Sequence, residues 1–250
     1  MSKPLGYIAY EGPSLIDGAP IVVIVTGLSG SSNRKTGSMI QTFILRQDVH
    51  PLEALKSGQD ESICGQCEHR PALVRAGNGK APCYVDVSRA PAAVWRAYRR
   101  GRYLKAPIHV IARAIAGRVL RIGTYGDPAA SPIRVWQGLT VYVAGWTGYS
   151  HQWRVLGREW MLLLMASADS PSDRADAKSA GWRTFRVSIG LDRQDGEISC
   201  PASKEAGVRV TCIDCKLCKG AQIQAKDIVI ADHALGHKRR VIQLQQETSL

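Results

Sequence analysis

Seven cysteines are the residues of this chain whose type and spacing say most about its chemistry. Three form one tight run, Cys212-Ile-Asp-Cys215-Lys-Leu-Cys218, and a fourth, Cys200, is followed by Pro201. A C-x2-C-x2-C triplet with a remote Cys-Pro is the ligand layout of a ferredoxin-type iron–sulfur site. Thiolates are soft donors that suit iron–sulfur clusters, zinc and cuprous ions. Three at this spacing wrap one corner of a cubane, and the remote thiolate closes the opposite side. The expected occupant is therefore an iron–sulfur cluster of the 4Fe–4S kind. Structural zinc is the alternative, although a single zinc more often takes its ligands as two separated pairs. Unliganded thiols are the third reading.

The remaining cysteines, Cys64-Gly-Gln-Cys67 and Cys83, form a group of their own, with His69 placed to act as a fourth ligand. Free cysteines are often buried as small hydrophobes. Here the pair is flanked by Asp60, Glu61, Gln66, Glu68, His69 and Arg70, which is no core-like setting, and a metal role is expected. Three plus four cysteines suggest two sites, with one shared site as the other arrangement.

Charge supplies a second lead. The net charge is +12 and the isoelectric point about 9.6, and the excess is concentrated. No acid occurs between Asp86 and Asp127, a stretch that carries Arg89, Arg96, Arg99, Arg100, Arg102, Lys105, Arg113, Arg118 and Arg121. Trp95, Tyr98 and Tyr103 are interleaved with these cations. Arginines can track a phosphate backbone and aromatic rings can stack bases, so residues 89–121 are a candidate contact for nucleic acid or another polyanion. The opposite reading is a solvated helix face whose aromatics turn into the core.

The elements that must position these groups alternate. Strands are predicted over 21–26 and 39–46, then the long cysteine loop 49–84, then a helix over 91–103 with Pro91 in its first turn. A strand over 119–123, a helix over 131–138 and a strand over 140–146 follow. The apolar run 160–166 reads as a strand buried on both faces. A helix over 171–180 starts at Ser170-Pro171 and stops at Gly181. Strands over 184–189, 208–211 and 227–233 complete the series. This alternation predicts an α/β fold with a mostly parallel sheet, an open or partial (β/α) barrel, and metal sites at the carboxyl ends of strands. The cysteine loop, Asp127, His151, Asp169, Cys200 and Cys212 all follow candidate strands. One α/β domain over 1–243 is expected, with the C-terminal cysteine cluster at 200–218 and a flexible polar tail at 244–250.

Several classes are disfavoured. No window approaches the roughly 18 apolar residues of a membrane span, and the first residues lack a signal pattern. An odd cysteine count without an export signal points to ligands rather than disulfides. The loop 27–37 fails the phosphate-binding P-loop pattern and reads as a basic loop or an ordinary turn. His151 has no Ser or Cys nucleophile motif around it and reads as a polar surface histidine. Asp169, Asp173 and Asp176 read as helix-start charges. His233 and His237 are separated by Gly236 and follow a strand, which argues against a helical metal pair.

The combined motifs resemble a family of tailed-bacteriophage proteins known as gene product 88. The matching segments are Thr26-Gly-Leu-Ser-Gly-Ser-Ser-Asn-Arg-Lys-Thr-Gly37, Cys64-Gly-Gln-Cys67-Glu-His-Arg70, Cys83-Tyr-Val85, Ala97-Tyr-Arg-Arg-Gly-Arg-Tyr103, Tyr125-Gly-Asp-Pro128, Thr147-Gly-Tyr-Ser-His-Gln-Trp153, Gly181-Trp-Arg-Thr-Phe-Arg-Val187 and the stretch from Cys200 to Cys218. The resemblance implies a phage or prophage origin and a soluble protein of the host cytoplasm, and it implies no particular activity. A second, fold-level resemblance is to radical S-adenosylmethionine enzymes, in which three cysteines after the first barrel strand leave one iron open. That resemblance implies an open-site cluster on Cys64, Cys67 and Cys83 and an auxiliary one on Cys200, Cys212, Cys215 and Cys218. It further implies S-adenosylmethionine as a cofactor, with Asp127, Arg96, Arg99, Arg100 and Arg102 contacting a charged cofactor or nucleotide. The chain departs from that family's C-x3-C-x2-C spacing, having C-x2-C followed by a gap of 15 residues.

Two functions follow as expectations. One is an iron–sulfur protein with redox or radical chemistry. The other is a non-enzymatic nucleic-acid-binding phage accessory protein in which zinc or a cluster staples the fold.

Overall fold

Five consecutive apolar residues, Ile21 to Val25, have no exposed surface, as a strand covered on both faces requires. They form the centre of the second strand in the computed structural model, which describes residues 4–30, 36–77, 83–203, 206–207 and 210–231. In chain order the elements are β1 (Gly6–Pro13), β2 (Pro20–Thr26), β3 (Ile40–Arg46), α1 (Pro51–Ser57), α2 (Glu61–Cys64), α3 (Pro71–Arg75), α4 (Ala90–Arg99), β4 (Leu104–Lys105), α5 (Ile108–Ala114) and β5 (Val119–Tyr125). Then come α6 (Ile133–Thr140), β6 (Gly145–Thr147), β7 (Tyr149–Ser150), α7 (Arg158–Met161), β8 (Met165–Ala168), α8 (Pro171–Ser179), β9 (Thr184–Ser188), β10 (Glu197–Ser199), α9 (Cys212–Cys215) and β11 (Asp227–Ala231).

The fold is mixed α/β with two largely parallel sheets, in line with the predicted alternation. One sheet has the order β4-β1-β2-β3-β5-β6 and the other β10-β11-β9-β8-β7. The pairs β1–β2 and β2–β3 are antiparallel, and every other pair in both sheets is parallel. β6 and β7 are separated only by Gly148. Its N–H donates to the Cys218 carbonyl at 2.9 Å, and its own carbonyl accepts from Met165 N at 3.0 Å. A Cβ at Gly148 would stand 2.6 Å from Leu164 Cδ2 and 3.1 Å from Ile122 Cβ. The chain can therefore pass from the edge of one sheet to the edge of the other only without a side chain there.

Where sequence and structure differ, the reason is packing. The apolar run 160–166 is not one strand: α7 takes its first part and β8 begins at Met165. A short buried run has no period that separates strand from helix, and Gly220 packs against the backbone of Met161 and Leu164, where a Cβ would clash. The predicted strand 140–146 is reduced to β6, because α6 runs on to Thr140. The helix predicted over 91–103 ends at Arg99, and the cysteine loop 49–84 contains α1, α2 and α3. β1 was not expected at all. The predicted strand 208–211 is partly outside the described residues, and Val210 and Thr211 are not in a strand. His233, His237 and the tail from 244 also lie outside them. The start of α8 is as predicted: Ser170 Oγ accepts from Asp173 N at 3.0 Å and Pro171 opens the helix, a cap worth about 0.5–2 kcal/mol. Among the described residues no helix is long and apolar enough to cross a membrane.

Candidate metal centre

The first cysteine loop is anchored from both sides. Arg70, 4% exposed, binds both oxygens of Asp60 (3.2 and 3.1 Å) and donates to the Gly65 and Gly58 carbonyls. Gln152 clamps the turn after α2, donating from Nε2 to the Cys64 carbonyl at 3.1 Å and accepting from Gln66 N at 3.3 Å. Gly65, at φ +53°, lies so close to this side chain that a Cβ would fall 2.6 Å from it, so the position needs glycine.

Asp127 ties this loop to the ends of the strands. It follows β5, and its backbone N–H donates to the Ile63 carbonyl at 2.6 Å. Its carboxylate accepts from Ala129 N, Ser150 Oγ and His151 N at 3.0, 2.8 and 2.8 Å. Burial raises its pKa, and those hydrogen bonds only partly oppose the shift. Asp127 thus turns into the protein and fixes the backbone of His151; it is not part of the cavity wall described below.

His151 and Asp169 follow β7 and β8, parallel neighbours in register at Ser150 and Ala166. They meet His69, from the first cysteine loop. Asp169 Oδ1 lies 2.7 Å from His69 Nε2 and Oδ2 lies 3.3 Å from His151 Nε2. The imidazole rings are 5.5 Å apart at 72°, and Tyr84 packs its ring 5.8 Å from that of His69. Cys67 Sγ is 3.9 Å from His151 Nε2. His151 is no free surface histidine, and Asp169 is no simple helix-start charge: its side chain is 8% exposed and sits between two imidazoles. The signal in the sequence was their position immediately after strands.

The charges reinforce one another. Burial would raise Asp169, but the two histidines outweigh it and hold the carboxyl well below the usual carboxylate range. Burial would lower His151, but Cys67 and Asp169 raise it well above the ordinary histidine value. Burial likewise opposes, and Asp169 causes, an upward shift at His69. Cys67 is lowered by His151 and His69 against the effect of burial. Cys64 goes the other way: burial pushes it well up, and neighbouring Cys67 and Cys83 add to the shift.

The C-terminal cysteines gather elsewhere. Cys212 packs with Met39 and Val119, at the amino-terminal ends of β3 and β5, and the Cys218 carbonyl binds Gly148. Cys200 follows β10, and its N–H donates to the Val229 carbonyl at 2.8 Å. Burial pushes Cys218 up to about 12, with Tyr149 lowering it and Cys200, Cys212 and Cys215 raising it. Cys218 therefore lies within electrostatic reach of the other three thiols. The first cysteine loop follows β3 and Cys200 follows β10, as expected, whereas Cys212, expected to follow a strand, packs at the amino-terminal ends of β3 and β5. Arg183, 8% exposed, holds this segment by donating to the carbonyls of Leu217, Gly220, Ala225 and Lys226 at 2.7–3.0 Å.

One cavity of about 1330 Å³ joins the two regions. Cys67, His69, Cys83, His151 and Asp169 line one end; Cys200, Cys212, Cys215 and Cys218 line the other. Between them Tyr149, Phe185, Val187, Ile228 and Ile230, alternate residues of β7, β9 and β11, form an apolar belt. Cys64 is not on the wall. Thr147 Oγ1 and Ser203 Oγ, in buried residues that line the cavity, have no hydrogen-bond partner among the described residues. Among the described residues, only His69, His151 and Asp169 form a set of three or more His, Cys, Asp or Glu donors lying within 4.8 Å of one another. No three sulfurs of either cysteine group meet that spacing.

The basic stretch divides. Arg121 lines the cavity, and Arg118 donates to the carbonyls of Gly27, Leu28 and Ser38. Arg99 donates to the Gln47 carbonyl at 3.0 Å and lies over Trp95. Arg96, Arg100 and Arg102 are exposed. The aromatics turn inward: Trp95 Nε1 donates to the Arg46 carbonyl, Tyr98 Oη donates to Glu11, and Tyr103 is 7% exposed. Rings committed in this way do not form an exposed stacking surface. No family model, curated protein or solved structure matches this chain.

Proposed function

We propose that the chain is an iron–sulfur protein of redox function, with Cys200, Cys212, Cys215 and Cys218 holding a 4Fe–4S cluster against the cavity. The observation that carries this reading is that Cys200, Cys212, Cys215 and Cys218 all wall the same cavity while no three of their sulfurs lie within 4.8 Å of one another. Zinc–thiolate bonds of about 2.3 Å in a tetrahedron place sulfurs only about 3.8 Å apart. A cubane puts a different iron behind each thiolate and spreads them wider. The donor set fits in a second respect: Thr147 Oγ1 and Ser203 Oγ supply unspent hydroxyls on the same wall, of the kind that hydrogen-bonds cluster sulfur. When bound, such a cluster supplies single electrons. The chain supplies an apolar belt and an arginine, Arg121, on the cavity wall.

The finer reading is an open partial (β/α) barrel, supported by the run of parallel neighbours β3-β5-β6 and β7-β8-β9-β11, in chain order across Gly148. A radical-S-adenosylmethionine-like activity rests on that order and on the cysteine-bearing loop after β3. Of its three cluster cysteines, Cys67 and Cys83 face the cavity and Cys64 does not. A phage origin and a host-cytoplasmic setting rest on the sequence motifs.

The test is anaerobic purification with iron, sulfide and zinc counted per chain. Iron and sulfide in equal number, both lost in Cys215→Ser, are the expected result. Zinc without sulfide would overturn the reading. A loaded protein is next assayed for S-adenosylmethionine cleavage.

A second reading, nucleic-acid binding, is favoured by the exposed Arg96, Arg100 and Arg102. It expects log affinity to fall linearly with log salt, and charge reversal of the three to abolish binding with metal content intact.

A further inference from the structure

We propose that His69, His151 and Asp169 bind a single divalent transition ion of the zinc or ferrous class, with its open positions facing the cavity. This centre is distinct from the four-cysteine group.

The geometry is that of converging ligands. The donor atoms lie within 4.8 Å of one another. Both imidazoles present the same atom, Nε2, to the Asp169 carboxylate, at 2.7 and 3.3 Å. A nucleophilic triad is excluded by the same geometry. Cys67 Sγ and Asp169 Oδ2 both address Nε2 of His151, whereas a triad histidine uses one ring nitrogen for the nucleophile and the other for its orienting carboxylate. Two imidazoles and a carboxylate suit zinc or ferrous iron. Magnesium and calcium prefer oxygen ligands throughout.

Each donor is held from outside the set. Asp127 fixes the His151 backbone, Asp173 accepts from the Asp169 N–H at 3.2 Å, and Tyr84 packs on the His69 ring. All three donors line the cavity. Three protein ligands with an exposed remaining position is the pattern of a reactive centre rather than a structural one.

The test uses the full-length chain, treated anaerobically with chelator and then titrated with Co2+ or Zn2+. Wild type is expected to take up one more equivalent than His151→Gln or Asp169→Asn. Failing full loss, affinity should fall by more than the ~10–100-fold that removal of a second-shell partner costs. Equal uptake by all three proteins overturns the proposal. Should a variant fail to fold, zinc X-ray absorption on the wild type decides: nitrogen and oxygen neighbours are expected, and a shell of sulfur alone overturns it. Iron and sulfide at the four-cysteine group should be unchanged in the variants. Their loss in His151→Gln would put the histidine on a cluster and also overturn the proposal. A wild type with neither iron nor sulfide refutes the cluster and leaves this site standing.

Discussion

The two cysteine-bearing loops are both held by one buried arginine, yet their sulfurs have different surroundings. Arg70 pairs with a buried carboxylate, Asp60, and with two carbonyls, and its loop meets two histidines and Asp169. Arg183 binds carbonyls of the C-terminal loop, whose thiols pack with Met165, Ile228 and Ile230. Nitrogen and oxygen donors converge at one end of the cavity, and sulfur alone gathers at the other. Similar cysteine spacing therefore does not imply similar chemistry. What a C-x2-C turn can bind depends on which other chain segments the fold delivers to it.

The largest effects are expected at the two arginines. Arg70→Ala leaves Asp60, 1% exposed, as an uncompensated buried charge, which costs about 3–5 kcal/mol. Adding Asp60→Asn should recover part of that loss in denaturant unfolding. Arg183→Ala strands carbonyls rather than a charge and should cost roughly 2–4 kcal/mol, allowing for partial recapture of the freed groups by water. No single second substitution should restore it. Equal rescue in both loops would break the comparison.

Asp127→Asn comes next. It removes a carboxylate that accepts three hydrogen bonds and should cost about 1–3 kcal/mol. It should also weaken Zn2+ binding by ~10–100-fold, because His151 loses its backbone anchor. The sulfide content of the four-cysteine group should not change.

Thiol reactivity sharpens the contrast in the metal-free protein. The thiolate is the reacting form, Cys67 lies below the ordinary thiol value and Cys218 is pushed up to about 12. As pH rises, alkylation at Cys67 should reach half its plateau rate first, followed by mass spectrometry of the labelled peptides. Coincident midpoints would mean that the two ends do not differ electrostatically.

The smallest effect is expected at Thr147→Val. Its hydroxyl is buried without a partner among the described residues, so the change should alter stability by no more than about 0.5 kcal/mol. If that hydroxyl serves cluster sulfur, the midpoint potential of the loaded protein should fall, since a donor to sulfur favours the reduced form. An unmoved potential would detach Thr147 from the cluster end.

Much of the framework was legible because its causes are local. Ser170-Pro171 starts α8 through its own side chain and ring, and the apolar runs around Val23 and Ile44 carry strand preference in adjacent residues. The grouping of cysteines as three and four was readable from spacing alone. The split of 160–166 into α7 and β8 was not, because Gly220, distant in sequence, packs on that backbone.

By itself, the sequence determined the α/β alternation, the soft donors and the basic stretch, since composition, spacing and short-range preference are properties of neighbours in the chain. Only the tertiary structure decided that Trp95, Tyr98 and Tyr103 face inward and that Cys212 lies at the amino ends of strands. It alone brought His151 and Asp169 to His69, because parallel β7 and β8, paired at Ser150 and Ala166, release the residues that follow them at the same sheet end, while Asp127 and Gln152 dock the loop bearing residue 69 beside them. No local preference records that meeting; it exists only when distant segments share one sheet end.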